Sequence, residues 1–309
     1  MSFSTKHVSS GIAAVALVCA TSLALAAPTV CTVVPSGSPY DATIAVASNF
    51  YGPAQNLVTD FTAAGKPGAG KRIRICHNAT ADLNTEIRTG TSGYSLFLAA
   101  NASTPNGLVG TTYVQSGATS DLYAKGIPVL FARSATVSSV KTLIPALPNG
   151  ASANVSFVAT PAFSLSTANS QTVAVADPVA APYGNAAVTI LADMGHTVSS
   201  SSIPAWVNNP LYGNISLTFD AVATSPFPNK SGFVSKAQIC DGVAPASPVI
   251  YTYVAFTNAK YVLNQNGILI DSGNAGQNAL GASLRTFMLA NSDPNYWSGF
   301  LSTHCYAPI

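Results

Sequence analysis

The chain has 309 residues, only 8% of them charged, and a formal net charge of +2. A balance this close to neutral excludes the basic stripe that nucleic-acid binding requires. The length is enough to bury a large core, most naturally as two lobes.

Residues 1–26 read as a secretory signal peptide. Lys6 and His7 precede an apolar run that ends in Ala24-Leu25-Ala26, an A-x-A cleavage site. The run is short for a membrane span. Cys19 lies inside it, but Val18 stands where a lipoprotein signal needs a small residue. The mature chain then begins near Ala27 and keeps four cysteines, Cys31, Cys76, Cys240 and Cys305. An even number in an exported chain predicts two disulfides, and the three pairings stay open. No CxxC pair is present, so a zinc or thioredoxin-like reading has no support.

Residues 28–41 read as an irregular lead-in. Thr43–Ala47 (TIAVA) reads as a buried strand, and Pro53–Phe61 as a helix with Ala54, Leu57, Val58 and Phe61 on one face. Arg72–Cys76 is a second strand, Ala81–Thr89 a short helix and Tyr94–Leu98 a third strand. This alternation predicts an α/β fold with a largely parallel sheet. Ile127–Ala132 is extended again and marks the first crossing into a second lobe. That lobe takes Val140–Ile144, the strand near Val173, the helices after Tyr183 and Asn214, and Gly232–Ser235. Residues 148–170 and 196–213, rich in Ser, Asn and Pro, read as surface excursions. Val249–Phe256 is expected to return the chain to the first lobe. The expected division is thus 27–126 with 249–309 as lobe I and 127–248 as lobe II. Leu280, Leu284, Phe287 and Met288 then share a helical face, and Trp297 and Phe300 belong to a closing helix.

Several motifs lead nowhere. Gly65–Arg72 (GKPGAGKR) imitates a phosphate-binding P-loop. However, Arg72 replaces the magnesium-holding hydroxyl, and the segment runs from helix to strand. His77, His196 and His304 have no metal-like spacing, so no metal site is predicted. No nucleophile elbow with partners is visible. The acids are too scattered for paired acid/base work, so the chain does not read as an enzyme.

What remains is a set of polar groups where strands give way to helices: Ser48-Asn49, Thr80, the turn Pro182-Tyr183-Gly184 and Asn214-Ile215-Ser216. The first N–H groups of a helix have no internal partners, and the dipole there favours negative charge. Any one of these positions is ordinary capping. Their recurrence after successive strands points to one small anion.

At these same residues the chain resembles the periplasmic molybdate-binding proteins of ABC importers. Four segments carry the likeness, in order: AVASNFYGPAQNLVTDF, ADPVAAPYGNAAVTILADMG, NISLTFDAVAT and GFVSKAQI. The resemblance implies a type II periplasmic binding protein, with two α/β lobes joined by a hinge and the ligand between them. It implies side-chain donors from Ser48, Asn49 and Thr80, and backbone donors at Thr80, Tyr183 and Ile215. Ser235 stands where some members place a tyrosine that reaches the ligand. The implied ligand is molybdate or tungstate, with no cofactor. The implied partner is an ABC permease, and the implied state is a monomer in the periplasm. The segment HNATAD departs from the family's Gly/Ser-rich turn, and the four cysteines are unusual for it. Two alternatives stand beside this reading. One keeps the fold and changes the ligand to another oxyanion or a small organic acid. The other is a secreted structural or adhesion protein held by disulfides.

Overall fold

A computed structural model describes residues 27–133, 152–155, 173–204, 207, 211–224, 229, 231–240, 251–290 and 292–309. The leader and the strand expected at 140–144 lie outside these residues. In chain order the first lobe contains β1 (Val30–Val34), β2 (Ala42–Ala47), α1 (Tyr51–Thr62), β3 (Ile73–Asn78), α2 (Thr80–Arg88), β4 (Leu96–Leu98), α3 (Ser103–Asn106) and β5 (Asp121–Gly126). The second contains β6 (Pro128–Arg133), β7 (Ser152–Val155), β8 (Val173–Ala174), α4 (Pro182–Asp193), α5 (Ile215–Ala223), β9 (Ser231–Ser235) and β10 (Tyr251–Phe256). The chain then returns through β11 (Leu263–Leu269) to α6 (Ala275–Leu289) and α7 (Tyr296–Thr303).

Two sheets form, with strand orders β1-β3-β2-β4-β11-β5 and β7-β10-β6-β9-β8. Side chains of β2 alternate between faces, as strand geometry requires. Ile44 and Val46 pack with Leu57, Val58 and Phe61 of α1, and with Leu284 and Phe287 of α6. Ala45 faces the other way, toward Leu83 and Ile87 of α2. The second sheet repeats the plan. Leu130 and Ala132 meet Ile190 and Leu191 of α4, while Val129 and Phe131 meet Val222 of α5. Burying one such side chain stabilises the fold by about 1.5–3 kcal/mol.

Both sheets are mixed rather than largely parallel. β3, β2 and β4 run parallel, but β11 is antiparallel to both β4 and β5. A parallel sheet needs a crossover between neighbours, and β11 comes back from the other lobe instead. The expected return at 249–256 is also corrected. β10 pairs antiparallel with β6 and parallel with β7 in the second sheet. The crossing therefore falls at 257–262, between β10 and β11. The apolar run of β10 reads the same in either sheet, so only pairing decides.

Three local expectations change as well. The lead-in contains β1, which is antiparallel to β3 with Cys31 opposite Cys76. The first excursion contains the edge strand β7. The second excursion is packed against the lobe: Val207 is buried with Val173 and Met194, and Val198, Ile203 and Leu211 lie against them. The disulfides are Cys31–Cys76 and Cys240–Cys305. The second joins the segment after β9 to the C-terminal tail, which bridges to β5 through Lys125 and Ala307.

Candidate functional site

The carboxyl ends of β2 and β3 in one lobe face the start of α4 and α5 in the other. Between them lies a small cavity, lined by Ala47, Ser48, Asn49, Asn78, Ala79, Thr80, Ala100, Ala181, Pro182, Tyr183 and Ile215. Five of the six candidate residues meet there. No Lys or Arg is among the lining residues.

The local sequence explains each position. Ser48–Phe50 forms a 3-10 turn after β2 that leads into α1. Thr80 is the first residue of α2. Pro182-Tyr183-Gly184 is not a separate turn, because α4 already begins at Pro182. Proline suits that place, since its missing N–H has no helical partner to lose. Gly184 lets α4 approach closely: a Cβ there would lie 2.3 Å from the carbonyl oxygen of Ala176. Asn214 caps α5, its Oδ1 accepting from the N–H of Ser216 at 3.0 Å and of Leu217 at 3.1 Å.

Counting donors shows which ones remain. In α2, the Ala81 N–H goes to the carbonyl of Ala180, and the Leu83 N–H to that of Ala79. In α4, Gly184 and Asn185 both donate to Ala181. In α5, Asn214 has taken Ser216 and Leu217, and its backbone carbonyl takes Thr218. The N–H groups of Thr80, Tyr183 and Ile215 have no acceptor among the described residues. Thr80 Oγ1 accepts the Ala100 N–H at 3.1 Å, which leaves its hydroxyl proton to spend.

Ser48 is 3.1 Å from Nδ1 of His77. That ring stacks on Tyr51 with centroids 3.9 Å apart. Burial lowers the His77 pKa from 6.5 to about 4, so the ring is neutral at pH 7. In the Nδ1–H tautomer the ring donates to Ser48, and the serine proton is left for the cavity. In the Nε2–H tautomer the serine spends its proton on the ring.

Asn49 and Ser235 are placed differently from expectation. Asn49 lines the cavity, but its Nδ2 donates away from it, to Gln265 Oε1 at 3.0 Å and the Tyr306 hydroxyl at 3.1 Å. Ser235 lies outside the lining. Its hydroxyl accepts the Ala237 N–H at the start of a 3-10 turn and donates to the Tyr183 hydroxyl at 3.0 Å. Both belong to a buried network behind the cavity. Gln265 Nε2 donates to the Tyr183 hydroxyl at 2.9 Å, and the Tyr123 hydroxyl donates to Gln265 Oε1 at 3.0 Å. Burial raises the pKa of Tyr123, Tyr183 and Tyr306, so these phenols stay neutral. Gly126 makes room, because a Cβ there would sit 1.9 Å from the Tyr183 hydroxyl. Sequence reading missed Gln265, Tyr123 and Tyr306. The run Asn264-Gln265-Asn266, three amides in succession within a strand, was the available signal.

Residues 42–260 match the model of the bacterial extracellular solute-binding protein family. The chain belongs to that family. Solute-binding proteins of this kind serve transport, and the comparison points to no enzyme class. Solved structures share the fold of this solute-binding protein at low identity. The periplasmic molybdate-binding protein of Azotobacter vinelandii aligns with TM-score 0.62 and 19% identity, over 87% of this chain and 99% of that one. The sulfate-binding protein SubI of Mycobacterium tuberculosis aligns with TM-score 0.55 and 11% identity, over 88% of each chain. The substrate-binding protein of an ABC transporter from Agrobacterium tumefaciens aligns with TM-score 0.52 and 13% identity, over 89% of this chain and 82% of that one. No curated protein matches the chain. Among the described residues no helix is long and apolar enough to cross a membrane, and no cluster of three metal-ligating side chains occurs.

Proposed function

We propose that this solute-binding protein captures a tetrahedral oxyanion, molybdate or tungstate, in the interlobe cavity. It would carry the anion through the periplasm to the permease of an ABC importer, with no cofactor. The observation behind this reading is the convergence of unspent donors on one cavity: the N–H groups of Thr80, Tyr183 and Ile215, and the hydroxyls of Ser48 and Thr80. A dianion leaves water only if its charge is met. Hydrogen bonds to a charged group contribute about 1.5–3 kcal/mol each, so several donors suffice without a cation. The dianion also selects the Nδ1–H tautomer of His77, which turns the Ser48 proton toward it. The likeness to a molybdate-binding protein supports the choice of ligand.

Most groups offered to the ligand are donors, which disfavours hydrogenphosphate because its P–OH proton would face an N–H; among the described residues, the unpartnered acceptor in the lining is Asn49 Oδ1. Sulfate has no such proton and would be rejected only by size. Sulfate is therefore the second reading, and the likeness to a sulfate-binding protein favours it. Replacing Ser48 by alanine tests the site. We expect Ser48→Ala to weaken molybdate binding about 10- to 100-fold with little change in melting temperature. Unchanged affinity would remove Ser48 from the site.

A further inference from the structure

We propose that Asn78 and Asn214 form a latch across the cleft that holds the closed state and sets how long the anion stays bound. The inference rests on the anion-binding reading for its effect on residence time, but the latch itself is a property of the chain alone. Asn78 lies at the end of β3, in the HNATAD segment. Asn214 lies on the opposite lobe, at the start of α5. Asn214 Nδ2 donates to Asn78 Oδ1 at 3.2 Å, and both residues are buried, at 1% and 5% exposure.

Both amides are oriented before they meet. Oδ1 of Asn214 is fixed on the Ser216 and Leu217 N–H groups, so its NH₂ has to face away from α5, toward the first lobe. Nδ2 of Asn78 is fixed on the carbonyl of Ala27 at 2.7 Å and on Thr29 Oγ1 at 3.3 Å. Its Oδ1 already accepts the Ala79 N–H at 2.8 Å, which leaves one lone pair facing the second lobe. Flipping either amide would set NH₂ against N–H. Donor and acceptor are therefore aimed at each other by partners that belong to their own lobes. The Cys31–Cys76 bridge anchors the Ala27–Thr29 strap one step further along.

The same bonds position the anion donors. With Asn78 holding Ala79, the next N–H, Thr80, is left for the cavity. With Asn214 holding Ser216 and Leu217, the preceding N–H, Ile215, is left for it. The latch thus couples closure to the presentation of one donor from each lobe. The Ala81 N–H to Ala180 carbonyl bond at 3.1 Å lies beside it, as does the contact of Ala79 with Ala176 and Ala181. Gln265 Nε2 also crosses to the Tyr183 hydroxyl, and the Cys240–Cys305 bridge ties the segment after β9 to the C-terminal tail, so the latch is one of several links between the lobes.

Asn214→Ser separates the two roles. Serine keeps the helix cap, but its hydroxyl is too short to reach Asn78. Asn78→Ala removes the other partner. The test begins without ligand, on the mature chain carrying spin labels at Thr59→Cys and Ala192→Cys, both exposed sites on opposite lobes. The parent should show a substantial short-distance population that shrinks in Asn214→Ser. Asn78→Ala should shrink it similarly, and the double variant no further. Identical distance distributions in all four chains would overturn the latch, whether or not any anion binds. With sodium molybdate as the probe, Asn214→Ser should release the anion about 3- to 10-fold faster, the loss of one ordinary hydrogen bond, at an unchanged association rate. An unchanged release rate would also overturn it. Failure of the parent to bind molybdate would instead count against the oxyanion reading and leave the ligand-free comparison to decide the latch.

Discussion

At the scale of single residues, the candidate site is marked by protons left unspent. Ser48 has one proton, and the state of His77 decides where it goes. His77 also carries a testable consequence for stability. Its pKa is about 4 in the folded chain and 6.5 in an exposed one. Between those values the unfolded chain binds a proton that the folded chain refuses. Stability from this group is therefore full above pH 6.5 and is lost as pH falls toward 4. His196 and His304 shift in the same direction through burial, so the parent alone does not isolate the effect. Comparing thermal unfolding of the parent and His77→Gln from pH 7 to pH 4 does. The parent should lose more stability than the variant across that window. Parallel curves would show that burial of His77 is not coupled to protonation. Ser48, Thr80, Tyr183 and Ile215 were legible from sequence because their place before or within a helix start fixes what they offer. The direction of the Asn49 amide was not, because Gln265 and Tyr306 are 216 and 257 residues away.

At the scale of elements, the proposed donors sit at helix starts, and the strands that lead into them hold them in place. α2, α4 and α5 each begin at the cavity and present an N–H there, and the strand-to-helix pattern made that much readable. The hinge was less so. The chain crosses between lobes at Ile127, between β5 and β6, and again between β10 and β11. An apolar strand reads alike in either sheet, so periodicity located β10 but could not assign it. Gly126, at the first crossing, is where the two kinds of element meet. Alanine there would push its Cβ into the Tyr183 hydroxyl and Gln265 Nε2, at 1.9 and 2.1 Å. We expect Gly126→Ala to cost about 1–3 kcal/mol of stability through overpacking. We also expect it to weaken anion binding, because Tyr183 carries one of the proposed donors. Denaturant unfolding and a molybdate titration check the two parts. A variant as stable as the parent would mean that the network yields to the added methyl group.

At the scale of the molecule, the cavity lies between two lobes, each built on a mixed sheet, and residues near both ends of the described fold reach its surroundings. The Ala27–Thr29 strap supports Asn78 from one side. The C-terminal tail enters the network through Tyr306 and is tied by Cys305 to the segment after β9. Two lobes and a cleft were readable from length, strand alternation and the four ordered segments. The disulfide pairing and the burial of the second excursion were not, because both depend on contacts distant in sequence. The proposed function calls for a compact, unprotonated, doubly charged ligand. Calorimetric titration of the mature chain with molybdate, tungstate, sulfate and phosphate tests that requirement most directly. Tight one-to-one binding of molybdate and tungstate, with neither sulfate nor phosphate competing, is the predicted result. Tight binding of phosphate, or silence with all four anions, would contradict the account.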